Sequence, residues 1–341
     1  TNSVGKIPAF IDQPKLFSEF KEHEQWGDIL GVDSVRNLNE LISTGNIHEM
    51  IWVAEGLHEK KMAQIADNLK AGFPEKRLIF ISGPSSSGKT TFAKRLRIQM
   101  RINGFNAKQI SIDDYFIDRT NVKIDENGET DFEALEVVNL DLLCERLDRI
   151  LAGDVIPKRK FDFKKGIGFD NSESLKMDEQ DFLIVEGIHG LNPVFPERLG
   201  AERVQRIYVS ALTQLNIDGD HRVSTSDNRL LRRIVRDHKF RHYTPEQTLE
   251  RWLSVRSGEE KNIFPYQEDA DYMFNTALVY ELPVLAKYAK PLLESVSENS
   301  PVKMRAERLS VFLSFFEQLE ETAVPETSIL REFIGGSGFH Y

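Results

Sequence analysis

The stretch Gly83-Pro84-Ser85-Ser86-Ser87-Gly88-Lys89-Thr90 satisfies G-x-x-x-x-G-K-[ST] at every fixed position. Its chemistry is that of an anion cradle. Glycines let the backbone curl until successive N–H groups point inward, and a helix starting at the loop's end adds the positive end of its dipole. In such a cradle Lys89 brings a mobile ammonium to the β- and γ-phosphates of a nucleoside triphosphate, and the Thr90 hydroxyl can ligate Mg²⁺. Gly83, Ser85, Ser86, Ser87, Gly88, Lys89, Thr90 and Thr91 are the candidate nucleotide-binding residues.

Binding a triphosphate is not yet a reaction. Carboxylates that could add one stand in Ser111-Ile112-Asp113-Asp114-Tyr115-Phe116 and in Val185-Glu186-Gly187, each closing an apolar run. One carboxylate near a γ-phosphate can accept the proton of an attacking hydroxyl, and a second can hold a metal directly or through water. Glu186 directly follows four apolar residues, where an unpaired charge is costly, so a metal or lysine partner is expected. A third element is basic. In Asp227–Asp237, Arg229, Arg232, Arg233 and Arg236 share one helical face, while Leu230, Leu231, Ile234 and Val235 take the other. From Asp218 to Arg241 there are seven Arg or Lys against four Asp, a local reversal in a chain of net charge −10. Arginines over a phosphate chain neutralise transition-state charge and exclude water. The alternative is an amphipathic helix whose charges merely face solvent.

Elements must bring these pieces together. The spacing predicts a helix over Ile47–Ala71 stopped by Gly72 and Pro74, and strands at Arg77–Ser82, Lys108–Ile112, Asp181–Glu186, Arg206–Ser210 and Met273–Tyr280. Further helices are expected at Thr91–Asn103, Asn139–Ala152 and over a long basic region, Asp227–Val255, with a last one starting at Ser300-Pro301. Residues 1–45 read as short elements and loops, and the glycine-rich end, Arg331 to Gly338, as a flexible tail, with folding back toward an anion as the alternative. Strands interleaved with helices imply an α/β fold, a parallel sheet covered on both faces, with ligands at the carboxyl ends of the strands. The expected organisation is an N-terminal, mainly helical region or connector over 1–74, a P-loop domain over 75–290, and a C-terminal helix and tail over 291–341.

Composition narrows the classes. The 341 residues are 40% hydrophobic and 29% charged, which suits a chain with a sizeable core. Fifty-four acidic against 44 basic residues argue against broad nucleic-acid binding. The single Cys144 lies on a predicted apolar helix face, and no disulfide or cysteine-built metal site is available. No apolar run approaches the roughly 18 residues that span a bilayer, and a cytoplasmic protein is the default. The first residue is Thr1, which reads as a fragment of something longer.

The runs GPSSSGKTTFAKRL, ISIDDYF, DFLIVEGIHGL and DNRLLRRIVRD, in this order, resemble the uridine kinase/phosphoribulokinase family of P-loop kinases over roughly residues 77–282. The resemblance implies a five-stranded parallel sheet with a cover over the active site, and transfer of the γ-phosphoryl of ATP, with Mg²⁺, to a hydroxyl of a small molecule. By position, Asp113 looks like the catalytic base, with Lys89 on the phosphates and Thr90 and Glu186 in the Mg²⁺ shell. Phe116, Phe132, Glu133, Phe161 and Arg229 fall at substrate-contacting places, and Arg232, Arg233, Arg236 and Arg241 at places in the lid. The acceptor implied is a nucleoside, uridine- or cytidine-like, and self-association is a family trait. Two departures bear on that acceptor. Ala134-Leu135 stands where uridine kinases have His-Pro, and Gly166 where they have a base-reading histidine. A nucleotide-binding regulatory or RNA-associated protein without a small-molecule acceptor is the second reading. The region before residue 70 resembles the end of a threonyl-tRNA-synthetase-like part found in larger uridine-kinase-like proteins.

Overall fold

The runs Leu-Ile-Phe-Ile-Ser and Asp-Phe-Leu-Ile-Val-Glu lack any polar alternation, the pattern of strands buried on both faces. They become neighbours at the centre of a parallel sheet. A computed structural model describes residues 12–122, 133–218 and 221–340. The chain begins with helices α1 (Pro14–Leu30), α2 (Val35–Ser43) and α3 (Ile47–Ala71), then strand β1 (Leu78–Ser82), α4 (Lys89–Ile102) and β2 (Asn106–Ser111). Helix α5 (Leu140–Leu151) leads to a hairpin of β3 (Ile156–Asp162) and β4 (Ile167–Leu175), followed by β5 (Asp181–Glu186), α6 (Val194–Leu199) and β6 (Val204–Ser210). Then come α7 (Thr225–Arg241), α8 (Pro245–Asn262), β7 (Tyr272–Asn275), α9 (Glu281–Glu294), α10 (Lys303–Leu313) and the short α11 (Arg331–Ile334).

The main sheet has the order β2-β5-β1-β6-β7 and every pairing is parallel. Register sets the site. Glu186 is level with Ser111 on one side and with Ile81 on the other. The ends of β5, β2 and β1 therefore deliver Glu186, the Asp113 turn and the phosphate loop to one edge. The antiparallel β3–β4 hairpin forms a separate two-stranded sheet. Cys144 is buried on α5, packed with Leu143 and Leu147.

Several expectations are corrected. Residues 14–43 form two helices rather than short pieces, because the inner face of α1 buries Glu19 and His23 and so hides its periodicity. The basic region breaks at His242, which is left-handed at φ 57, and Thr244 with Gln247 then forms a capping box for α8. The last strand ends at Asn275, whose side chain turns to bond the backbone of Leu212 and Ala277. The hairpin, α9 and α1 are elements the sequence pattern did not announce. The tail is packed, not loose. Ser328, Ile329, Leu330, Phe333 and Ile334 are buried.

One apolar core runs from Val32 through the sheet to Ile334, so the regions either side of 75–290 share it. Polar contacts reinforce this. Glu19 accepts the Asn275 amide at 2.9 Å, Arg95 of α4 pairs with Glu55 and Glu59 of α3, and the Tyr280 hydroxyl donates to Glu55 at 2.6 Å. Among the described residues no helix is long and apolar enough to cross a membrane.

Candidate active site at the phosphate loop

The loop between β1 and α4 is shaped by its neighbours. A Cβ on Gly83 would lie 2.0 Å from the Val209 carbonyl oxygen of β6, so only glycine fits. Ser86 at φ 58 and Gly88 at φ 85 provide the left-handed turns that aim the following amides inward. The Ser86 and Ser87 hydroxyls are buried without a hydrogen-bond partner. Such atoms cost roughly 1–3 kcal/mol each, and a phosphate oxygen would satisfy them. Lys89, the first residue of α4, donates to the Gly83 carbonyl at 2.8 Å and the Pro84 carbonyl at 3.1 Å. Burial lowers its pKa, and the carboxylates of Glu186, Asp113 and Glu332 work against that loss.

The carboxyls of Glu186, Asp113 and Glu133 all feel this lysine in turn. Burial pushes Glu186 up from its ordinary 4.5 to about 7, with Lys89 pulling down and Asp113 pushing up. Burial also raises Asp113, again opposed by Lys89. Glu133 is raised by burial and steadied by Arg233. Geometry separates Asp113 from its neighbour. Asp114 accepts from Lys160 at 2.9 Å and from the Phe161 amide at 3.4 Å, so it fastens the hairpin and leaves Asp113 facing Lys89.

The arginines of α7 divide by depth. Arg229 is 1% exposed; it is held by both oxygens of Glu259, by the Ser85 carbonyl at 3.1 Å, and over the Trp252 ring at 5.3 Å. Arg232 is fully buried between Glu281, Thr276 and the Ser86 carbonyl at 3.3 Å. Both brace the loop through its carbonyls. Arg229, expected on a substrate, and Arg232, expected in a cover, are thus each paired with a buried carboxylate of the chain. Arg233 reaches the Ser85 hydroxyl at 2.7 Å, while Arg236 and Arg241 share Asp237 at 3.0 and 3.5 Å. Repulsion from Arg236 lowers the pKa of Arg241, so this rim is short of negative charge.

Phe116, Phe161 and Phe163 form an edge-to-face aromatic cluster with centroids 5.1–6.1 Å apart under the hairpin. Phe132 lies outside the described residues. At Gly166, φ is +71 and a Cβ would meet the Arg119 side chain at 2.5 Å. The Arg119 side chain therefore packs directly against Gly166. Sequence reasoning missed Glu259, Thr276, Glu281 and Glu332. Glu259 accepts the Ser85 amide at 2.9 Å and Thr276 lies 2.5 Å from the Ser87 carbonyl, yet all four are distant in sequence from the loop they hold.

The phosphoribulokinase/uridine kinase family model matches residues 78–281, the span that carries this geometry. The chain belongs to that family. A uridine kinase of Halalkalibacterium halodurans is 30% identical over 181 residues, covering 52% of this chain and 75% of that protein. One from Staphylococcus epidermidis is 28% identical over 196 residues, covering 57% and 84%. Among solved structures, D-glycerate 3-kinase of Cryptococcus neoformans is 13% identical, with a TM-score of 0.41 over 61% of this chain and 88% of that one. The family assignment makes this chain a P-loop kinase, a phosphoryl-transfer enzyme with ATP as donor.

Proposed function

We propose that the chain phosphorylates a hydroxyl of a nucleoside, uridine- or cytidine-like. The observation that carries the transfer chemistry is the meeting of Lys89, Asp113 and Glu186 at one sheet edge, where Lys89 acts on both carboxyls and Asp113 acts on Glu186. Lys89 leaves its loop carbonyls for the β- and γ-phosphates, and the loop amides with the Ser86 and Ser87 hydroxyls hold the remaining oxygens. Asp113 takes the proton of the acceptor hydroxyl, and burial makes it a stronger base than an exposed aspartate. Arg233, Arg236 and Arg241 neutralise charge at the rim.

Thr90 and Glu186 offer a hydroxyl and a carboxylate, hard oxygens that suit Mg²⁺. No three His, Cys, Asp or Glu side chains among the described residues come together as a metal cage, which fits an ion held mostly by phosphates and water. When bound, Mg²⁺ supplies charge neutralisation on the phosphates. The hairpin with Phe116, Phe161 and Glu133 provides an aromatic wall and an acid for base and ribose.

The test is ADP release from ATP with Mg²⁺ across nucleosides, sugar phosphates and pantothenate. One acceptor should stimulate strongly, and Asp113→Asn should cut kcat about 10²–10⁴-fold while nucleotide still binds. Turnover stimulated by no nucleoside would refute the acceptor. Loss of nucleotide binding in a folded Asp113→Asn protein would refute the role of Asp113.

A further inference from the structure

The segment after residue 320 lies beyond the family match, yet it closes on the phosphate loop. It is firmly anchored. Arg331 donates to the Glu321 and Val324 carbonyls at 2.8 and 2.6 Å, and Lys239 of α7 donates to the Ile334 carbonyl at 2.5 Å. The Phe333 ring lies under the buried Arg232 guanidinium at 5.0 Å. An Ile329 methyl stands 2.5 Å from where a Gly88 Cβ would be, so this segment touches the loop's own glycine.

Glu332 makes the decisive contact. One of its oxygens accepts the Thr91 amide at 3.0 Å and the Thr91 hydroxyl at 2.7 Å. Thr91 is the third residue of α4, so its amide is one of the first-turn donors that a phosphate loop turns toward anions. The same carboxylate acts on Lys89 and Lys94 as an attracting charge, and on Glu186 as a repelling one. A carboxylate here and a phosphate on the same donors repel each other in a site poor in water.

We propose that Glu332 stands in for a nucleotide phosphate oxygen at Thr91, and that a nucleoside di- or triphosphate binds by displacing it. The C-terminal segment thereby sets nucleotide affinity and senses occupancy. Part of each binding event goes to releasing Glu332, so the apparent affinity falls below that of the bare loop. The inference rests on reading the loop as the nucleotide site, and its test separates the two.

The experiment is calorimetric titration of ADP and ATP, with Mg²⁺, into the full chain, Glu332→Gln and Glu332→Asp. Glutamine keeps an acceptor oxygen for Thr91 but carries no charge, and aspartate keeps the charge but is too short to reach. Both should bind nucleotide about tenfold more tightly, the scale of a charge-assisted hydrogen bond given up. In the unmutated chain, ADP should speed amide hydrogen exchange around residues 326–340. Equal or weaker affinity in both variants, or slower exchange with ADP, would overturn the proposal while leaving the nucleotide site intact. No binding by any of the three proteins would refute the nucleotide site itself.

Discussion

Glu186 gives a prediction that joins stability to catalysis. Burial raises its pKa from the ordinary 4.5 to about 7, with Lys89 the main opposing influence. Between those values the folded protein holds a proton that the unfolded chain has released, so this residue's contribution to stability falls as pH rises through the window. The full effect, at roughly 1.4 kcal/mol per pH unit, is about 3 kcal/mol. The residue is half-buried, and solvent at its edge reduces this to about 1–3 kcal/mol. Glu186→Gln removes the penalty. The nucleotide-free variant should match the parent near pH 4 and exceed it by that amount at pH 8, read as a rise of several degrees in Tm or a later urea midpoint. Glu19 is also raised to about 7, so the parent's own profile carries both groups and only the difference between the two proteins isolates Glu186. The variant should at the same time lose turnover, because the carboxylate that costs stability is the one proposed above to hold Mg²⁺. A difference in stability that does not change with pH, or a variant less stable than the parent at pH 8, would refute the assigned burial and charge.

Two further outcomes test how the loop is supported. Arg232→Met strands Glu281 in the interior and should cost roughly 3–5 kcal/mol by urea unfolding; adding Glu281→Gln should recover a good part of it, and no recovery would show that Arg232 acts by volume alone. Asp114→Asn loosens the hairpin at Lys160 and should raise the acceptor KM several-fold with kcat changed less, the reverse of Asp113→Asn; a large loss of kcat would make Asp114 the base instead.

What could be read from residues alone was local. Ile47–Ala71 and Asp181–Glu186 are recovered to the residue because each carries a clean period or an unbroken apolar run between strong stops. The β3–β4 hairpin was not announced, since Lys158 to Lys165 mixes five cations with two phenylalanines and shows no single-sided alternation. The turn between β1 and α4 was legible because glycine spacing encodes its backbone geometry.

The arginines mark where such reading ends. A helical wheel puts Arg229, Arg232, Arg233 and Arg236 on one face and cannot rank them. What ranks them is the position of acids far along the chain. Glu259 and Glu281 neutralise Arg229 and Arg232 in the interior, where an unpaired guanidinium would be very costly, and hold both against the loop's carbonyls. Arg233, Arg236 and Arg241 all pair with Asp237, so three guanidiniums gather at the rim around one shared carboxylate. The same logic governs the far end of the chain. Glu332 sits among Lys89, Lys94 and the α4 amides because that is where a negative charge is best held. The physical reason it docks there is thus the reason a phosphate would compete for its place.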